Sequence, residues 1–113
     1  MELDIEFENK WKKLETFLAN RFGKVPNMEA ILYLIGINEF RGRMPKYKFS
    51  KEEKQDLIHV GTCTLMMQEG FYQLEQYDKD GWPHFKKIKE LEHANLEEQE
   101  NMLKQLMFQY FEI

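Results

Sequence analysis

Residues 50–68 read SKEEKQDLIHVGTCTLMMQ, a stretch that contains both the start of a helix and a reason for close helix packing. Ser50 and Glu53 have the spacing of a capping box, in which the serine oxygen accepts from the N3 backbone N–H and the glutamate accepts from the N-cap N–H. Apolar residues then recur at helical spacing. Gly61 in the helix interior costs about 1 kcal/mol relative to alanine, and the close approach of a neighbouring helix would compensate for that cost. The stretch therefore predicts a helix over 51–68 that packs tightly against another helix.

Three other segments show helical patterns. In the first, aromatic and leucine residues fall on one stripe of a helix, namely Phe7, Trp11, Leu14, Leu18 and Phe22. The second, 27–40, is apolar almost all round, which is typical of a buried helix, although a strand over 31–37 is the alternative. We therefore expect an all-α fold, a small bundle of about four main helices in a single domain over 1–113, with helices over 4–22, 27–40, 51–68 and 95–112. The same spacing predicts a core of Trp11, Leu14, Leu18, Ile31, Leu32, Ile35, Leu57, Val60, Leu103 and Leu106.

The segment 78–94, between the third and fourth helices, has no clear helical period. It opens with Asp78-Lys79-Asp80-Gly81-Trp82-Pro83, whose residues bond to their own backbone or accept a positive φ, and this composition is typical of a tight turn. We expect an irregular segment that crosses the bundle and is anchored by Trp82. The alternative is an extended hairpin within 71–94.

Composition indicates a soluble domain of the reducing bacterial cytosol. The chain has 113 residues, 42% of them hydrophobic, and a chain of this length buries roughly 60–70% of its unfolded surface. Cys63 is the only cysteine, which excludes the intrachain disulfide framework of small secreted domains. The acidic start of the chain does not resemble a secretory signal, and the longest apolar stretch, 30–37, is far shorter than the roughly 20 residues of a membrane span. We therefore expect a cytoplasmic location and no membrane partner.

Two acid–x–x–His pairs raise the hypothesis of a metal-dependent enzyme. The pairs are Asp56 with His59 and Glu90 with His93. Carboxylate-bridged di-iron bundles use this i, i+3 spacing twice and need two further glutamates, which Glu15 and Glu39 could supply. Against this interpretation, one pair has Asp in place of Glu, and the other lies in the segment that has no helical period. Charged residues of this kind are most often solvated surface residues, so the metal site stands as an alternative hypothesis.

His59 and Cys63 form a second candidate pair on the same helix. Their i, i+4 spacing is that of a His–Cys metal pair or of a thiol activated by a base. A cysteine within an apolar helix is more often an inert core residue, and we expect that here.

A basic cluster precedes the third helix. It contains Arg41, Arg43, Lys46, Lys48 and Lys51, with Tyr47 and Phe49 between them. Cations interleaved with aromatic rings are what a polyanion or single-stranded nucleic acid would contact. The alternative is a solvated basic loop. The net charge of −4, from 20 acidic and 16 basic residues, argues against nucleic acid as the main partner.

No phosphate-binding loop, paired CxxC motif or nucleophile elbow is present in the sequence, so we expect no cofactor. The interpretation that the sequence favours is a non-enzymatic interaction or scaffold protein, whose partner is another protein or a second copy of the chain. The apolar surface of 27–40 and the aromatic C-terminus supply the reason, because uncovered apolar surface marks an interface. The metal-dependent enzyme and the polyanion binder remain as alternatives.

Three stretches resemble an uncharacterised family of small helical bacterial proteins. They are Leu34-Ile35-Gly36-Ile37-Asn38-Glu39, Glu53-Lys54-Gln55-Asp56-Leu57-Ile58-His59 and Asp80-Gly81-Trp82-Pro83-His84. The resemblance implies helical content over about 25–111. It implies nothing about mechanism, because no activity is known for that family.

Overall fold

The computed structural model describes residues 2–92 and 94–113, which form four helices and one β-hairpin. In chain order the elements are α1 (Glu2–Phe22), α2 (Met28–Glu39), α3 (Lys51–Met67), β1 (Tyr72–Tyr77), β2 (Pro83–Lys87) and α4 (Leu96–Tyr110). The four helices that the sequence predicted are confirmed, and each end lies within two residues of its predicted position. Among the described helices, none combines the length and the apolar composition that crossing a membrane requires.

The prediction of a purely α-helical fold is wrong over 72–87, where β1 and β2 pair antiparallel. Tyr72 pairs with Lys87 and Tyr77 pairs with Pro83, with an irregularity in register between Leu74 and Gln76. The alternative, an extended hairpin within 71–94, is confirmed. The half-buried and exposed residues of β1 alternate only over its first four positions, and the irregularity then breaks the two-residue period, so the alternation favours a strand over only part of this segment.

Contacts within the chain divide it into two compact units. One contains α1 and α4, and the other contains α2, α3 and the hairpin. All but two of the predicted core residues are buried, and the two exceptions, Trp11 and Leu103, are half-buried.

Aromatic contacts join α1 to α4 in the first unit. The Phe108 ring lies 5.5 Å from the Phe7 ring and 6.3 Å from the Trp11 ring, measured between centroids. The Lys104 ammonium lies 4.5 Å from the centroid of Trp11, so α4 contacts this ring through an aromatic and a cationic side chain. The predicted stripe of α1 is thus the packing face as far as Leu18, which is 2% exposed, whereas Phe22 at its end is 48% exposed.

In the second unit, the backbones of α2 and α3 touch. A Cβ placed on Gly61 would overlap the carbonyl oxygen of Leu32, and a Cβ placed on Gly36 would overlap the carbonyl oxygen of Leu57. Each helix therefore presents one glycine to one carbonyl of the other. The close approach expected at Gly61 is confirmed, and Gly36 is its counterpart on α2.

The apolar surface of α2 is buried at four positions and half-buried at the others. Ile31, Leu32, Ile35 and Gly36 are buried, and the other apolar residues of α2 are half-buried. The large apolar side chains that remain exposed among the described residues lie elsewhere, at Ile5, Phe17, Phe22, Val25, Met44, Tyr47, Met67, Ile88 and Leu96. Self-association through α2 stays a prediction.

Replacing Gly61 with alanine tests the helix contact. Alanine is the better helix former by about 1 kcal/mol, but its methyl group must displace a backbone carbonyl rather than a flexible side chain. We expect Gly61→Ala to lower the free energy of unfolding in urea by about 2 kcal/mol. Gln55→Ala, at an exposed position of the same helix, is the control and should change it by less than about 0.5 kcal/mol. Equal stability of the two variants would contradict the backbone contact.

Candidate functional site

The loop between α2 and α3 is fixed at both of its ends. The Phe40 ring lies 5.7 Å from the Phe49 ring and 4.8 Å from the Trp82 ring, measured between centroids, and Phe49 is buried. These three rings form an aromatic cluster. Next to Phe40 in the chain, the Arg41 backbone N–H donates to the Gly81 carbonyl over 2.9 Å. The loop is therefore closed on itself and attached to the turn of the hairpin.

Two glycines allow the loop and the hairpin turn to touch. A Cβ on Gly42 would overlap the Asp80 carbonyl oxygen, and a Cβ on Gly81 would overlap the backbone of Gly42. Gly81 also has a φ of +90°, a conformation that costs other residues strain. Glycine is therefore required at both positions for this contact.

Asp78 organises the hairpin turn. Its Oδ1 accepts from the backbone N–H groups of Asp80 at 2.9 Å and Trp82 at 3.0 Å, and its Oδ2 lies 2.8 Å from Nε2 of His84. The hydrogen bond from His84 is the largest of the effects that hold the pKa of Asp78 below its usual value, followed by that from Trp82. The carboxylate is thus the ionised acceptor around which the turn is built.

The basic cluster predicted from the sequence lies on the fixed loop and on the first residue of α3. Arg41, Arg43, Lys46, Lys48 and Lys51 are all exposed. Among the side chains that the structure describes, those of residues 5–92 and 94–113, no carboxylate lies within ion-pairing distance of any of these five, whereas Lys10, His84, Lys87 and Lys104 each have an acidic partner. The cluster is therefore a local concentration of positive charge that forms no described ion pair.

Aromatic and apolar side chains accompany these cations. The Arg41 guanidinium lies 4.0 Å from the centroid of the Tyr77 ring, and the Lys46 ammonium lies 5.6 Å from that of Tyr47. Tyr47 is 88% exposed and Met44 is 55% exposed. The tip of the loop therefore presents apolar contact area together with positive charge.

An open cleft of about 440 Å³ lies between the start of the loop and the hairpin turn. Its walls are Arg41, Gly42, Arg43, Tyr77, Asp78, Lys79, Asp80 and Gly81. Lys79 and Tyr77 were missed as site residues, because only the pairing of β1 with β2 brings this turn beside the loop. Recognising the hairpin would have been the one signal able to find them.

The described residues do not assemble the predicted metal site. Asp56 and His59 are exposed on α3, and Glu90 lies outside any helix, where its carboxylate pairs with the Lys87 ammonium at 2.8 Å. The i, i+3 argument therefore does not apply to Glu90, while His93 lies outside the described residues. Of the remaining two candidates, Glu15 lies on α1, and Glu39 lies at the end of α2, where it accepts from the Asn38 amide at 3.2 Å. Among the residues described, no three His, Cys, Asp or Glu side chains are placed to hold one metal ion.

His59 and Cys63 do meet, with Nε2 and Sγ 3.4 Å apart. Cys63 is fully buried, and this burial raises the pKa of its thiol to about 11. A reactive cysteine needs exposure and a lowered pKa, so the contact favours an inert thiol.

No family model matches the sequence, and neither the curated proteins nor the solved structures include a match to it. The function is therefore inferred from the residues and their geometry.

The reactivity of Cys63 should show which role the thiol has. A pKa near 11 leaves on the order of 100-fold less thiolate at pH 8 than an unperturbed thiol, so native protein should react very slowly with a disulfide reagent. Protein unfolded in guanidinium should react at the rate of a free thiol. His59→Ala serves as the matched variant and should leave the native rate unchanged, whereas fast native labelling that disappears in this variant would establish an activated thiol.

Asp78 should make the hairpin sensitive to acid. Because folding lowers the pKa of this carboxyl, its stabilising contribution is complete above the usual value of 3.8 and is lost as the pH falls through the lower value in the folded state. We expect Asp78→Ala to weaken hydrogen-exchange protection of the hairpin amides at pH 7, and the difference from the unaltered chain to shrink in strong acid. Asp80→Asn is the control, because no described hydrogen bond uses its carboxylate. An equal effect of both variants at pH 7 would contradict the role given to Asp78.

Proposed function

We propose that the chain is a non-enzymatic interaction module that binds an acidic segment of another protein through the basic cluster at 41–51. The observation that carries the proposal is the concentration of positive charge on a fixed loop, five exposed cations of which none forms an ion pair with a described carboxylate. A partner that supplies these carboxylates would complete the electrostatics of the surface.

The acidity of the whole chain does not cancel this local charge. At physiological ionic strength the Debye length is about 8 Å, so exposed charges farther apart than that are largely screened from one another. No acidic residue occurs between Arg41 and Lys51. The acids Asp78 and Asp80 line the cleft with Arg41 and Arg43, whereas Lys46 and Lys48 do not line it. A segment that docks on the tip of the loop is therefore attracted by these cations more strongly than it is repelled by the net charge of −4.

The side chains of the loop favour a protein over a nucleic acid as the partner. Tyrosine, methionine and arginine are enriched in protein interfaces, and tyrosine and arginine supply many of the residues that dominate binding energy. Tyr47 and Met44 place such side chains at the exposed tip of the loop. A nucleic acid needs cations along an extended path of phosphates, and beyond this loop it would meet the acidic remainder of the chain.

The titratable groups around the loop favour binding over chemistry. The Asp78 carboxylate is occupied by three hydrogen-bond donors of its own turn. The aromatic cluster also holds the two ends of the loop in place. The loop therefore loses little conformational entropy when a partner docks on it.

Charge reversal on the loop tests the proposal. The measurement is the fluorescence anisotropy of a labelled oligoglutamate peptide at low salt, and the affinity should fall as salt is added. We expect Lys46→Glu with Lys48→Glu to weaken binding about tenfold or more, which corresponds to about 1.4 kcal/mol. Lys12→Glu with Lys13→Glu, on exposed positions of α1, changes the net charge equally and should weaken binding much less.

Three results would overturn the proposal. The first is no binding of oligoglutamate even at low salt. The second is an equal loss of affinity in the two double variants, which would show that only net charge matters. The third is tighter binding of an oligothymidylate of the same charge, which would make nucleic acid the partner.

A further inference from the structure

The cleft between loop and turn is chemically distinct from the exposed tip of the loop. Three cationic side chains line it, from Arg41, Arg43 and Lys79, whereas Lys46 and Lys48 do not. Lys79 comes from the hairpin turn, so the cations of the cleft are supplied by two segments that the Gly42–Gly81 contact holds together.

Arg41 is oriented before any ligand arrives. Its guanidinium is stacked 4.0 Å from the Tyr77 centroid, and its own backbone N–H is bound to Gly81. Stacking on a ring leaves the in-plane N–H groups of a guanidinium free, and no described carboxylate pairs with them. A planar fork of donors held in this way matches two oxygens of an oxyanion.

The acidic residues of the cleft do not neutralise it. Three cations face two carboxylates, from Asp78 and Asp80, which leaves one net positive charge. The Asp78 carboxylate is moreover occupied by the N–H groups of Asp80 and Trp82 and by His84. A phosphoryl group carries close to two negative charges and three acceptor oxygens, so it can engage more of these cationic groups than a carboxylate, which has one charge and two oxygens.

We infer that this cleft binds one phosphate monoester, with Arg41 and Arg43 gripping the phosphoryl oxygens and Lys79 closing on them from the turn. The cleft volume of about 440 Å³ is within the range of small-ligand sites, so it accepts the phosphoryl group together with the carbon chain that bears it. The phosphoester is either a free small molecule or a phosphorylated side chain of the acidic partner. Only the second source rests on the proposed function.

Binding of phosphoserine in two forms tests the site. The probes are free O-phosphoserine and a short acidic peptide that contains one phosphoserine, each compared with its unphosphorylated form by calorimetry in phosphate-free buffer. We expect the phosphorylated form to bind at least about tenfold more tightly in one or both comparisons, as one or two charged hydrogen bonds would provide. Free O-phosphoserine that binds as tightly as the peptide identifies a small phosphoester, and a clear advantage of the peptide identifies the partner's side chain.

Arg41→Lys tests whether the planar N–H donors of the guanidinium contribute to binding beyond its positive charge. It keeps the cation and loses the planar donors, so phosphate-dependent binding should fall about tenfold. Lys79→Gln should also lower phosphate-dependent binding, and Lys12→Gln, at an exposed position of α1 outside the loop and the cleft, is the matched control that should not. Dispersed and unchanged hairpin amide resonances show that each variant is folded.

Equal binding of phosphorylated and unphosphorylated probes would overturn the inference, and so would full phosphate-dependent binding by Arg41→Lys and Lys79→Gln. Failure of oligoglutamate to bind would overturn the proposed function alone, because O-phosphoserine probes the cleft without a protein partner.

Discussion

The contact between the backbones of α2 and α3 is the constraint on which the second unit depends. At Gly36 and Gly61 each helix offers a bare Cα to a carbonyl of the other, so neither position tolerates a side chain without separating the helices. Close approach allows the apolar residues beside the crossing, Leu32 and Leu57 among them, to be buried. It also sets the distance between the end of α2 and the start of α3, and therefore the ends of the loop that joins them.

The aromatic cluster links the ends of α2 and α3 to the hairpin. Phe40, directly after α2, meets Phe49, directly before α3, and Trp82 of the hairpin turn packs on Phe40. An isolated two-stranded hairpin is marginally stable in water, so packing of this kind is what gives the turn a fixed position. The cleft lies between two segments, the start of the loop and the hairpin turn, whose backbones touch at Gly42 and Gly81. Its geometry therefore follows from backbone packing rather than from interactions among its charged groups.

Features that depend on neighbouring residues were predictable from the sequence, and features that depend on pairing were not. The α3 capping box and the cost of Gly61 indicated a helix and its close packing, and the basic cluster was visible because its members are contiguous. Lys79 and Tyr77 belong to the site only through the hairpin, which the sequence offered as an alternative within 71–94 but without the strand register that places its turn. Gly36 was missed because a glycine within an apolar run gives no sign of what lies opposite. The acid–x–x–His pairs show the reverse case, since correct spacing has no consequence when Glu90 is not on a helix.

An acidic chain can keep a basic surface because its charges have different structural uses. Many of its acids lie where a helix start stabilises negative charge, as Glu52 and Glu53 do on α3 and Glu97 and Glu98 do on α4. The cations of the loop are placed differently. The Arg41 guanidinium and the Lys46 ammonium lie over the rings of Tyr77 and Tyr47, and Lys51 lies at the positive end of the α3 dipole. None of the five forms an ion pair with a described carboxylate. The fold thus holds the loop by packing and leaves its cations without ion-pair partners, and a ligand that brings negative charge to the loop and its cleft would provide them.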